Sequence, residues 1–167
     1  YRIADDESQS CLAARCMLFG KLYNARRSIE RTRRDHGLCV DDAALGAASG
    51  QLQQMLPQIM QQTSLDSLRG VEGAAASSYF GVLDHMILNH KDIFYFHGRN
   101  RRPPLDHVNA MLSFAYNLLL HDCASALESV GLDAYVGFMH RDRPGRMSLA
   151  LDLMEELRAP LADRFVL

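Results

Sequence analysis

Apolar residues recur at three- and four-residue intervals along most of the chain, beginning with Leu12, Cys16, Phe19, Leu22 and Tyr23 between about Gln9 and Arg34. That spacing lays one apolar stripe along a helix. Lys21, Arg26, Arg27, Arg31, Arg33 and Arg34 crowd the second half of the run, which predicts a long helix with a basic end. Gly37, Gly46 and Gly50 break the pattern, and "QLQQMLPQIMQQTSLDSL" restores it with an expected interruption at Pro57. The stretch "RGVEGAAASSYF" then leads a helix to about His90. "HGRNRRPPLD" is a basic turn whose Pro103 and Pro104 suit a helix entry, and "HVNAMLSFAYNLLLHDCASALESV" keeps helical period until Gly131. Glycines and a proline mark "GLDAYVGFMHRDRPGR" as a loop, with Ser148 the expected N-cap of a last helix, "LALDLMEELRAPL". No segment sustains strand-like alternation and no repeat is visible. The expected architecture is therefore all-α, a single multi-helix domain of roughly six or seven helices over residues 1–167.

Composition narrows the class. A chain of 167 residues with 48% hydrophobic and 23% charged positions can bury a core of its own. A net charge of −2 excludes a globally basic nucleic-acid binder, yet the arginines are unevenly placed and local patches decide such binding. No run approaches the ~20 apolar residues of a bilayer span, and the start "YRIADDESQ" is acidic where a signal peptide is basic then apolar. A soluble, cytoplasmic chain with no membrane partner is expected. Cys11, Cys16, Cys39 and Cys123 form no CxxC pair, so reduced, mostly buried thiols without chemistry are expected. An initial Tyr and a stop within the apolar "DRFVL" give both ends the look of cuts.

Candidate chemistry lies in three separated places. On a helical wheel Leu149, Ala150, Leu153, Met154, Leu157 and Leu161 share one arc of the last helix. Asp152, Glu155 and Glu156 gather within another arc of roughly 100°. Like charges at such spacings repel, so the group calls for a cation. The plainer alternative is a solvated face, with Asp152 near the positive helix start and Glu155 paired to Arg158. Glu72 sits past the first turn of its helix among Gly70, Gly73, Ala74, Ala75 and Ala76, small neighbours that let another backbone approach and place the carboxylate in a crevice. Its plainer alternative is a buried pair with Arg69 or another arginine. His140 closes the glycine-bearing loop and is followed by Arg141, Arg143 and Arg146. Joined in one site, Glu72, His140 and the last helix's acids would supply mixed oxygen and nitrogen ligands suited to Mg²⁺ or Mn²⁺. The nearby arginines could hold phosphates, which together points to phosphodiester chemistry.

These residues also carry a family resemblance. "SLRGVEGAAASSYF", "FYFHGRNRRPPLDHVNAMLSFAYNLL" and "GLDAYVGFMHRDRPGRMSLALDLMEELRAPLADR" together resemble the C-terminal helical domain of the CRISPR-associated spacer integrase, the Cas-one family, and most of all its type I-C members. The likeness runs the length of the chain and is densest from Ser67 to Arg164. It implies metal binding by the Glu of an RGxEG motif (Glu72), the His ending a GLDxxxGFxH motif (His140) and an acid of the final DLxEx helix (Glu155), with Asp152 in support. It further implies insertion of prespacer DNA into the CRISPR repeat by transesterification, a prespacer 3′-hydroxyl attacking a phosphodiester. Arg99, Arg101, Arg102, Arg141, Arg143 and Arg146 would position the double-stranded DNA backbone without reading its sequence. The implied partners are a second Cas adaptation protein and, in the full-length protein, a homodimer built by an N-terminal β-rich domain. Nothing in this sequence could be that domain, so a fragment that folds but integrates poorly or not at all is expected.

Two rival readings remain at this level. The "HD" pair His121–Asp122, with His85, His90 and His107 nearby, resembles the all-α HD phosphohydrolases. On the wheel, however, Asp122 falls among apolar residues and reads better as a buried acid paired with an arginine. The other rival is a non-catalytic helical scaffold that grips DNA or protein through Arg26 to Arg34.

Overall fold

A computed structural model describes residues 3–140 and 143–167; Arg141 lies outside the described residues. Five helices of ten residues or more carry the fold, and among the described residues there is no strand. The first, α1 (Glu7–His36), starts where Asp6 accepts the amides of Ser8 and Gln9. It buries Cys11, Ala14, Leu18, Leu22, Ala25 and Ile29, a stripe at three- and four-residue steps. Arg33, Arg34 and His36 lie in its last turn, where the helix dipole favours positive charge.

Helix α2 (Asp42–Gln61), capped by Asp41, runs on through Pro57. The expected interruption is absent because Pro57 lies on the exposed face, where water can satisfy the carbonyl that lacks its donor. Helix α3 (Leu65–Gly81), capped by Ser64, ends well before the expected His90 and is followed by a 3₁₀ turn, Leu83–Met86. The next stretch, 87–106, has no helix and is pinned at two points. Asp84 accepts the amide of Phe96 at 2.7 Å, and the fully buried Asn109 accepts the Asn100 amide at 3.0 Å while donating to the Gly98 carbonyl at 2.8 Å. Helix α4 (His107–Ser129) is capped by Asp106 rather than opened by the prolines, which stand just outside it. Gly131 follows its end with φ +78°, a conformation that suits glycine.

Helix α5 (Ser148–Leu157) has Ser148 as its first helical residue, not its N-cap. The free amides of its first turn are met by the loop before it: the Ala134 carbonyl accepts those of Leu149 at 2.9 Å and Ala150 at 3.2 Å. A π-helical turn, Arg158–Asp163, and the short α6 (Arg164–Val166) complete the described chain. One core joins α1, α2, α3, the 3₁₀ turn and the start of α4, and a second joins the end of α4 to α5 and the π turn. Helix α1 packs against α2, α3 and α5, so it faces both acid-bearing helices. Cys11 and Cys123 are buried thiols, whereas Cys16 and Cys39 are exposed. No helix among the described residues is long and apolar enough to cross a membrane.

Candidate active site

Glu72 on α3 and Glu155 on α5 meet at one point on α1, the ammonium of Lys21. Lys21 Nζ contacts Glu72 Oε1 and lies 2.8 Å from Glu155 Oε2. The position of the lysine is set by close helix approach. A Cβ on Gly20 would stand 2.7 Å from Glu156 Oε2 and 3.0 Å from Glu156 Cβ, so the glycine lets the Glu156 side chain lie directly against α1. One turn later Asn24 donates to the Glu156 carbonyl at 2.8 Å and fixes the same pair of helices.

Glu155 is 3% exposed, so the acid arc of the last helix is not a solvated face. Arg158 reaches its other oxygen at 3.0 Å, the pairing that spacing allowed. Burial pushes the Glu155 carboxyl up, but the charges of Lys21 and Arg158, aided by His140, outweigh it and hold the group below its usual range. Its Oε2 is buried, has Lys21 Nζ as its ion-pair partner, and points to the place where the Glu72 carboxylate also arrives. Two carboxylate oxygens converging from different helices form a donor set that suits a hard divalent cation. Among the described residues, no three His, Cys, Asp or Glu side chains already stand in a ligating cluster.

The crevice around Glu72 differs from expectation in one respect. A Cβ added at Gly70 or Gly73 would meet nothing within 4 Å, so that face of α3 is open rather than closed by another backbone. The close packing comes from Ala75, which is buried between the helices.

His140 and Asp152 form a second unit. Asp152 is 1% exposed and spends its oxygens on the loop that precedes α5: Oδ2 accepts the amides of Phe138 at 2.6 Å and Met139 at 2.9 Å, and Oδ1 accepts that of His140 at 3.1 Å. Oδ1 also contacts His140 Nδ1, which fixes the imidazole and turns its other nitrogen away from the acid. Gly137 is required here, because a Cβ would lie 2.6 Å from Ser148 Cβ and 2.9 Å from the Ser148 backbone carbon. Arg69 Nη2 holds the far side of the loop through the Met139 carbonyl at 2.7 Å. His140 lines a cleft with Arg69 and Asp66, while Glu72 and Glu155 line a different one.

Five of the arginines expected to hold DNA (Arg99, Arg101, Arg102, Arg143 and Arg146) line one cavity of about 570 Å³, together with Arg158. Arg101, Tyr116 and Arg158 border both this cavity and the small crevice that contains Lys21, Glu72 and Glu155. Residues that sequence reasoning missed tie the two together. The guanidinium groups of Arg99 and Arg158 both lie over the Tyr116 ring, at 5.4 and 4.9 Å from its centre. Its hydroxyl and that of Tyr79 both donate to the buried Asp163, Tyr79 at 3.0 Å. Burial raises the Asp163 carboxyl to about 6, against the lowering effect of the two hydroxyls and of Arg158 and Arg99. Lys21 was also missed, although it is one of only two lysines in an arginine-rich chain and follows a mid-helix glycine. His121 and Asp122, by contrast, are both exposed; Asp122 is not the buried acid expected, and the pair forms no site.

Comparison with known proteins bears on the family and the fold. The family described as CRISPR associated protein Cas1 matches residues 1–167. The chain is 47% identical over all of its length to a protein of Chlorobaculum tepidum named CRISPR-associated endonuclease Cas1 1, and 52% identical over 90% of its length to CRISPR-associated endonuclease Cas1 2 of Rhodospirillum rubrum. It spans 49% and 45% of those relatives, about half of each. Among solved structures, it superposes on a partial Cas6-RT-Cas1–Cas2 complex with a TM-score of 0.86 at 27% identity, covering 99% of this chain and 47% of that one. It also superposes on a casposase bound to integration product with a TM-score of 0.82 at 26% identity, covering 99% and 44%. An all-helical fold shared over nearly every residue, with a family match from end to end, places the chain in the Cas1 family of CRISPR-associated proteins.

Proposed function

We propose that residues 1–167 are the catalytic helical part of a Cas1-type integrase, acting on double-stranded DNA by metal-dependent transesterification. The observation that supports this most is the convergence of Glu72 and Glu155, from helices far apart in sequence, beside a cavity walled by six arginines. Glu72, Glu155 and His140 would hold Mg²⁺ or Mn²⁺. A bound ion would neutralise charge on the attacked phosphate and favour the departing or attacking oxygen. Asp152, whose oxygens are engaged by the loop amides, supports the site by fixing His140 rather than by offering a free lone pair. Arg99, Arg101, Arg102, Arg143 and Arg146 would grip the phosphates flanking the scissile bond, with Arg141 adjoining them in sequence. The open glycine face of α3 leaves room for that backbone near Glu72.

The relatives' names favour a nuclease, and the neighbouring structures, one bound to an integration product and one in a Cas1–Cas2 complex, favour DNA and a second Cas protein as partners. A homodimer of the longer protein, a cytoplasmic location and poor integration by this portion alone belong to the same reading. One observation favours a non-catalytic DNA-gripping scaffold instead: Lys21 already neutralises the carboxylates. Nicking of supercoiled plasmid in Mn²⁺ separates the two. Glu72→Ala, Glu155→Ala and His140→Ala are each expected to reduce it at least ~100-fold, the scale seen when a transition-state charge stabiliser is removed. Nicking that survives Glu72→Ala, or that needs no divalent ion, would refute the proposal.

A further inference from the structure

We infer that Lys21 is a resident counter-cation of the carboxylate pair, which a divalent ion must displace in order to bind. The inference rests on the metal reading above and concerns how that site is kept before the ion arrives. Three observations carry it. The Lys21 ammonium contacts Glu72 Oε1 and stands 2.8 Å from Glu155 Oε2, so it occupies the space between the two carboxylates that a divalent ion held by both would need. The lysine is held there by its helix, because Asn24 ties α1 to α5 through the Glu156 carbonyl and Gly20 leaves room for the Glu156 side chain beside it. The charges also balance without an ion: Lys21 and Arg158 offset Glu72 and Glu155 one for one.

A buried carboxylate left without its partner is costly, so an unmetallated site lacking the lysine would strain the packing of α5 against α1. Lys21 therefore holds the two glutamates at binding distance in the metal-free protein. Ion and ammonium exclude each other, and the ion binds with its intrinsic affinity reduced by the fraction of time the lysine is seated.

The chain has two lysines, and Lys91 in the 87–106 stretch has its side chain half exposed, so amine acylation reads Lys21 against an internal control. In the wild-type protein, saturating Mg²⁺ is expected to speed acylation of Lys21 at least ~5-fold relative to Lys91, since a seated ammonium is shielded and a displaced one is not. In parallel, Lys21→Met and Lys21→Gln are expected to bind Mn²⁺ at least ~10-fold more tightly than wild type by calorimetry, equivalent to about 1.4 kcal/mol. Adding Glu72→Gln to either should remove that gain, which fixes the ion to this pair. Wild-type acylation unchanged by Mg²⁺, or equal Mn²⁺ affinity in wild type and both variants, overturns the inference while leaving the metal reading intact. Failure of wild type and variants alike to bind Mn²⁺ overturns the metal reading itself.

Discussion

Asp163 shows how much one buried side chain can decide. Its carboxyl sits under two tyrosine hydroxyls and is raised to about 6 from an ordinary value of 3.8, chiefly by burial. The folded state therefore holds the proton more tightly than the unfolded chain. The stabilisation is complete below about pH 4 and is lost as pH rises through about 6, on the order of 3 kcal/mol across that window. Asp163→Asn keeps the hydrogen bonds to Tyr79 and Tyr116 within reach but cannot ionise. Thermal melts from pH 4 to pH 7 should show the variant gaining on wild type as pH rises, and parallel melting curves would refute the assignment. None of this was visible in the sequence, where Asp163 reads as one more acid near the end of the chain; its partners lie 47 and 84 residues away. Glu72 was legible because a charge among glycines and alanines is locally anomalous. Lys21 was not, because a lysine in a basic helix half is locally ordinary.

Between elements, the decisive contacts are those in which a helix end meets a loop. The stretch 132–140 forms no helix, yet it is fixed by α5 at two places: its Ala134 carbonyl caps α5, and Asp152 on α5 accepts three of its amides. Gly137 permits this closeness. Gly137→Ala would drive a methyl into Ser148, and the overpacking is expected to cost roughly 1–3 kcal/mol. Amide exchange at residues 138–140 should quicken with it, because displacing the loop pulls those donors from Asp152. A variant with wild-type melting and unchanged exchange at these amides would show that the loop tolerates the extra carbon. The periodicity foretold the helical runs of α1, α4 and α5 but misjudged where α3 ends and took Pro57 for a break. Local pattern reports which face of a segment is apolar; it does not report whether a proline's face points to water, or whether a neighbouring loop will supply a cap in place of Ser148.

Across the whole molecule, charge is sorted in a way the net value of −2 conceals. Arginines from the 87–106 stretch, from the loop after His140 and from the π turn come together around one cavity. If that cavity takes DNA, the logarithm of affinity should fall linearly with the logarithm of salt concentration, by about 0.9 for each phosphate neutralised. The double variant Arg143→Ala/Arg146→Ala should then lower the slope by about 1.8 with duplex DNA of any sequence. An unchanged slope would place the phosphates elsewhere, for instance on the basic end of α1. The sequence by itself determined the helical class, the apolar stripes that build the two cores, and the small set of acids worth suspecting, because these depend on spacing along one segment. Only the tertiary structure decided that Glu72 and Glu155 share Lys21, that Asp152 is consumed by the His140 loop, and that the arginines border the same crevice. Those relations join side chains from 12 to more than 50 residues apart, and their distances are set by how closely the helices and the loop before α5 pack, which no local pattern encodes.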